Sequence, residues 1–166
     1  MREPSEPELI RLRSIANFQL GRGLGERLFP KNIRIVTSPK TGKIRYIYLG
    51  ENLLATLRPR NGLLALTLHG AERLVKCKKA AHLTIRVRND VTSFVRKGSD
   101  VFCKHVTKVS PLLKPGDEVI VVDRSRELQA VGKTVLSGEE IASFKAGVAV
   151  KVRRGVERKK TGRTTD

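Results

Sequence analysis

Apolar and polar positions divide the chain into two runs of predicted elements, meeting at a basic stretch near residue 80. Ser5-Glu6-Pro7-Glu8 has the form of a helix start, with Ser5 to cap, Pro7 suited to the first turn and Glu8 completing a capping box. Leu9, Leu12, Ile15, Ala16 and Leu20 then recur at helical spacing. Gly21-Arg22-Gly23-Leu24-Gly25 breaks this helix, and a short second one is predicted from Glu26 to Phe29, stopped by Pro30. Ile33 to Thr37, Lys43 to Leu49 and Asn52 to Arg58 read as strands, with Gly50-Glu51 as a tight hairpin turn. Leu63 to Leu66 is a fourth strand, and Thr67 caps a helix whose Leu68, Ala71, Leu74 and Val75 share a face.

After Lys79 the pattern starts again. Thr84 to Arg88 is strand-like, and Asn89 or Asp90 opens a short helix with Val91, Phe94 and Val95 inward and Gly98 at its end. Val101 to Val106 is predicted as one strand, with Cys103 packed in the core. Lys114-Pro115-Gly116-Asp117 is a type II turn signal between this strand and those at Glu118 to Asp123 and Leu128 to Leu136. Ser137-Gly138-Glu139-Glu140 is a second capping box, opening a short helix that carries Ile141 and Phe144, closed by Gly147. Val148 to Arg153 is a final alternating strand, and the apolar-free segment 158–166 is expected to be a disordered basic tail. The expected architecture is α+β: a mixed domain over 1–81, then a small barrel over 82–157 built from about five short strands and two short helices.

Charge changes this picture from a fold to a partner. The 166 residues carry 34 Lys plus Arg against 16 Asp plus Glu, a net +18. Segment 1–82 is net +10, segment 83–157 net +5 and segment 158–166 net +3, so the folded surface itself must be basic. Such a surface favours a polyanion, nucleic acid above all, because each neutralised phosphate releases condensed counterions. No apolar run approaches the ~18 residues of a membrane span, and no secretory signal follows Met1, so a cytoplasmic protein without a membrane partner is expected. Cys77 and Cys103 are too few for a disulfide framework or a zinc site without histidines.

Catalytic chemistry finds little support in the spacing. His69, His82 and His105 are isolated, and no Ser/His/Asp or Cys/His arrangement is legible, so neither catalytic residues nor a metal or cofactor is expected. The Gly21–Gly25 turn lacks the spacing and the preceding strand of a dinucleotide-binding loop. It reads as a helix-breaking turn, or as exposed backbone that approaches a phosphate beside Arg22 and Arg27. Lys76, Lys78 and Lys79 favour a helix C-terminus and suit phosphate equally. Arg96-Lys97-Gly98 with Lys104, and Lys151 with Arg153-Arg154-Gly155, are expected to lie close together in a barrel, where a glycine loop beside basic strand residues lets a backbone phosphate approach. The alternative is ordinary solvent-facing alternation on two strands.

These residues also carry a resemblance. Phe94 to Val106, Lys114 to Val122, Leu128 to Glu140 and Gly147 to Val156 resemble a PUA domain. Phe18 to Glu26, Thr41 to Arg45 and Leu54 to Gly62 resemble the small domain that precedes PUA in archaeal tRNA-guanine transglycosylases. The resemblance covers roughly residues 8–157 and implies a pre-PUA domain followed by a PUA barrel. It implies tRNA binding, with the acceptor stem and 3′ end on a surface lined by Arg96, Lys97, Gly98, Lys104, Lys151, Arg153 and Arg154. His105 departs from the apolar or aromatic residue expected there. The family's zinc and catalytic residues belong to a ~250-residue barrel that these 166 residues cannot hold, so a transglycosylase catalytic chain is an expected partner. The alternative is a PUA-type translation factor that binds the small ribosomal subunit and tRNA.

Overall fold

The computed structural model describes residues 1–157. The predicted tail, 158–166, lies outside them. Helix α1 (Glu6–Leu20) begins with the predicted capping box: the Ser5 hydroxyl accepts from the Glu8 amide, and the Glu8 carboxylate accepts from the Ser5 amide. Its inward face is Leu12, Ala16 and Leu20, with Leu9 and Ile15 packed beside them. Helix α2 (Leu24–Leu28) follows the glycine turn. Strands β1 (Arg34–Thr37), β2 (Ile44–Leu49), β3 (Asn52–Leu57) and β4 (Leu64–Leu66) then form an antiparallel sheet in chain order. Helix α3 (Leu68–Val75) starts at Thr67, whose hydroxyl accepts from the Gly70 amide.

The remaining strands form a nearly closed six-stranded barrel. They are β5 (Thr84–Val87), β6 (Val101–Phe102), β7 (Val106–Lys108), β8 (Glu118–Val122), β9 (Leu128–Thr134) and β10 (Val148–Gly155), in the order β6-β10-β9-β8-β5-β7. Helix α4 (Thr92–Arg96) lies against β9 and β10, and α5 (Gly138–Ser143) starts at the second predicted capping box. Among the described residues only β5 and β8 pair in parallel.

Three expectations are corrected here. The predicted strand 101–106 is two short strands separated by a 3₁₀ turn at Cys103–His105, which lets the chain leave one edge of the barrel and enter the other. Phe94 points outward, 63% exposed, because Val91 and Val95 already fill the inner face of so short a helix. Phe144 follows α5 as its C-cap and is 46% exposed, because the helix stops at Ser143.

Strand β8 explains how the two halves join. All five of its residues are buried, and its two faces serve different cores. Val119 and Val121 pack inside the barrel with Ile85, Ala130 and Val150. Ile120 and Val122, with Val131 of β9, join the core formed by α1, α2, α3 and the first sheet. A strand covered on both faces reads as a continuous apolar run, as Val119–Val122 does. Glu118 has the same parity as Ile120 and Val122 and so faces the first half of the chain.

Candidate nucleic-acid interface

The segment from Arg96 to Lys104 runs antiparallel to β10 along nearly its whole length. Arg96 and Glu157 meet at one end, where the Glu157 amide donates to the Arg96 carbonyl at 2.8 Å. The Val152 amide donates to Asp100 Oδ1 at 3.0 Å in the middle. Val101 and Phe102 then pair with Val150 and Val148, and the Cys103 amide donates to the Gly147 carbonyl. Two glycines make this fit possible. Gly98 ends α4 with φ +104, a conformation that a Cβ disfavours. A Cβ on Gly155 would stand 2.2 Å from the Arg96 carbonyl oxygen, so only glycine lets α4 seat on β10.

Along this edge Lys97, Lys104, Lys151 and Arg154 are exposed. Lys104 stands beside the start of β10 and Arg96–Gly98 beside its end, roughly 20 Å apart at the ordinary rise of a strand. The cations therefore form a stripe and not a compact cage, a geometry suited to successive phosphates of a nucleic-acid backbone. Phe94, on α4 just before this segment, and Phe102, within it, are exposed as well, the latter 43% exposed and edge-to-face with His105 at 6.1 Å between centroids. The sequence reading missed both as surface groups. The available signal was helix brevity for Phe94 and the alternation of Phe102 with buried Val101 and Cys103.

Three residues of the predicted set are placed differently. Arg96 is half-buried: its Nε donates to Glu157 Oε1 at 2.8 Å, and a terminal nitrogen lies 3.4 Å from Gln129 Oε1. Arg153 is bound into the molecule. Its terminal nitrogens donate to both oxygens of buried Glu118, at 3.0 and 2.7 Å, and to the Leu66 carbonyl at 2.7 Å. A bulge in β10 at this position turns it away from the stripe and toward the first sheet. Arg22 is exposed on the glycine turn, but the backbone there is already committed. The Gly23 and Gly25 amides both donate to Asn17 Oδ1, and the Lys79 side chain covers Gly23. The turn is a built corner and offers no amide cradle for a phosphate.

Among the described residues no group of three or more His, Cys, Asp or Glu could hold a metal ion, and no helix is long and apolar enough to cross a membrane. Cys103 is buried, and desolvation pushes its thiol above the ordinary value, as its core placement requires.

Comparison with known proteins agrees with this architecture. Residues 84–156 match the PUA domain family, and residues 10–80 match the patch-forming domain C2 of tRNA-guanine transglycosylase. The chain thus joins a C2-type patch-forming domain to a PUA domain. It is 40% identical over 92% of its length to the tRNA-guanine(15) transglycosylase of Methanothermobacter thermautotrophicus, and 39% over 93% to that of Pyrococcus furiosus. The similarity falls in their C-terminal region, and the chain spans about a quarter of the length of each, 23% and 26%. Among solved structures, a hypothetical protein from Pyrococcus horikoshii superposes with TM-score 0.74 at 17% identity, covering 95% of both chains. A conserved PUA domain protein from Thermoplasma acidophilum gives 0.68 at 15%, again over 95% of both. At such identities these two establish the shared fold.

Proposed function

We propose that this chain binds structured RNA, a tRNA in the first place, and serves tRNA modification as a non-catalytic RNA-binding component in the cytoplasm. The observation that carries this reading is the roughly 40% identity to tRNA-guanine(15) transglycosylases across both of its domains. Net charge of +18 supports it independently, since a polyanion is the natural counterpart of such a surface. The acceptor stem and 3′ end lie along the α4–β10 edge. Lys97, Lys104, Lys151 and Arg154 contact phosphates there, and Gly98 permits close approach of the backbone. Arg96 joins them by exchanging Glu157 for a phosphate. Duplex RNA is read through shape, phosphates and 2′-hydroxyls, which a lysine-rich edge suits. Phe94 and Phe102 offer faces on which unpaired bases at the 3′ end stack. Base exchange belongs to a separate transglycosylase catalytic chain, for which this protein presents the tRNA.

The test is binding to a folded tRNA with and without its 3′ CCA, beside a plain RNA duplex, at near-physiological salt. Tight tRNA binding that weakens on CCA removal is expected. Equal binding to all three RNAs would sink the acceptor-end assignment, and absence of RNA binding would sink the whole reading. Co-purification without any modification enzyme would count against the separate catalytic chain, and cosedimentation with small ribosomal subunits would favour a translation role.

A further inference from the structure

A groove of about 340 Å³ opens where the connector after α3 meets β5 and the chain leaving β7. Five cationic side chains line it, Lys76, Lys78, Arg86, Lys108 and Arg126, and no carboxylate does. It shares no residue with the α4–β10 edge. None of the five forms an ion pair or a side-chain hydrogen bond among the described residues. Lacking a carboxylate is common among the cations of this surface; what sets these five apart is that they line one concavity together.

Two details show that the groove is more than a solvated face. The Arg86 Nε is buried with no hydrogen-bond partner, leaving a donor of a permanent cation unsatisfied. Arg126 sits in the β8–β9 turn at φ +65, the one residue other than glycine with positive φ among the described residues. That conformation costs a residue with a Cβ about 1–2 kcal/mol. Glycine would hold this turn more cheaply, so the sequence keeps a guanidinium here against local preference. Cations converging on a concave surface repel one another until an anion neutralises them. Five of them exceed what a single phosphate group needs and match several phosphates in a row.

We propose that this groove is a second RNA-binding surface, taking the phosphodiester backbone of a segment distinct from the one on the α4–β10 edge. The proposal rests on the reading of the chain as an RNA-binding protein. Its chemistry is backbone contact without base readout, since the lining offers donors on long stems, no Phe or Tyr, and one imidazole, His82, whose Nε2 is already engaged with the Leu20 carbonyl.

The experiment measures folded tRNA binding by fluorescence anisotropy over a range of salt concentrations. It uses the parent chain, a groove variant (Lys78→Gln, Lys108→Gln, Arg126→Gln) and an edge variant (Lys97→Gln, Lys104→Gln, Arg154→Gln). All six positions are exposed, so both variants keep the fold. The groove variant is expected to bind roughly tenfold more weakly at ~0.15 M salt, with a log–log salt slope shallower by about two to three. Arg126→Gly is a second probe that relieves backbone strain while removing charge. It is expected to unfold no earlier than the parent and to lose about one unit of salt slope. A groove variant that matches the parent in affinity and slope, beside a weakened edge variant, overturns the groove and leaves the edge standing. Loss in the groove variant alone supports the groove and overturns the edge. A parent that binds no RNA overturns both.

Discussion

Glu8 shows how a single side chain couples the chain's start to its first helix. Its carboxylate accepts two hydrogen bonds from the Arg2 guanidinium, at 2.7 and 2.9 Å, and one from the Ser5 amide at 2.7 Å. The Arg2 contact, then the Ser5 amide, lower its pKa from the ordinary 4.5 to about 2. A carboxyl whose folded-state pKa is depressed contributes stability that is fully present above its unfolded value. That contribution is lost as pH falls from about 4.5 toward about 2. Glu8→Gln is therefore expected to flatten the acid limb of the stability profile in this window, read as urea midpoints at a series of pH values. The effect shrinks in salt, because the pair is partly exposed. An unchanged acid limb would show that the pair contributes nothing. The Ser5–Glu8 half of this arrangement was legible because a capping box spans four consecutive residues. The Arg2 half was not, because nothing in the sequence says that residue 2 folds back over α1. The same limit explains Arg153: alternation placed it correctly in a strand, but its partner Glu118 lies 35 residues away.

Elements were legible where their signals are local and blurred where a neighbour decides. Both capping boxes, the Thr67 cap and the Gly116 turn fall where the sequence puts them. The break between β6 and β7 does not, because Val101 to Val106 has continuous strand propensity. Only closure of the barrel forces the chain to step between its edges at Cys103. Gly155 belongs to the same class, reading as the end of a basic strand while its role is set by α4. Its missing Cβ leaves room for the Arg96 and Val95 carbonyls, both of which would lie within 2.6 Å of an added methyl. Both obstacles are backbone, so neither yields cheaply. Gly155→Ala is expected to cost about 1–3 kcal/mol in chemical denaturation through overpacking. It is also expected to weaken tRNA binding by displacing Arg96, Lys97 and Gly98 together. Wild-type affinity in a variant destabilised this much would mean that α4 does not position the RNA contacts.

At the scale of the molecule, the question is whether two sheets make two units or one. The cores are continuous across β8 and β9, since Ile120, Val122 and Val131 complete the apolar cluster of the first half. Glu118 adds a polar joint at the same seam. Its two oxygens accept from Arg58, from Arg153 and from the Leu66 amide, so the β3–β4 end of the first sheet is tied to β8 and β10 of the barrel. The Glu118 side chain is almost fully buried, at 1% exposure, while the Arg58 and Arg153 side chains keep 23% and 33%. Burying a charge this deeply is tolerated only because four hydrogen bonds meet it, and removing it strands two cations against a desolvated surface. Glu118→Ala is expected to lower the unfolding free energy by about 3 kcal/mol, at the low end for a broken buried pair because both arginines retain water. The apolar seam survives that change, so thermal unfolding followed by far-UV circular dichroism and by calorimetry is expected to stay a single transition at a lower midpoint. Separation into two transitions would mean that Glu118, and not Ile120, Val122 and Val131, holds the halves together, and that the parent's cooperativity is electrostatic.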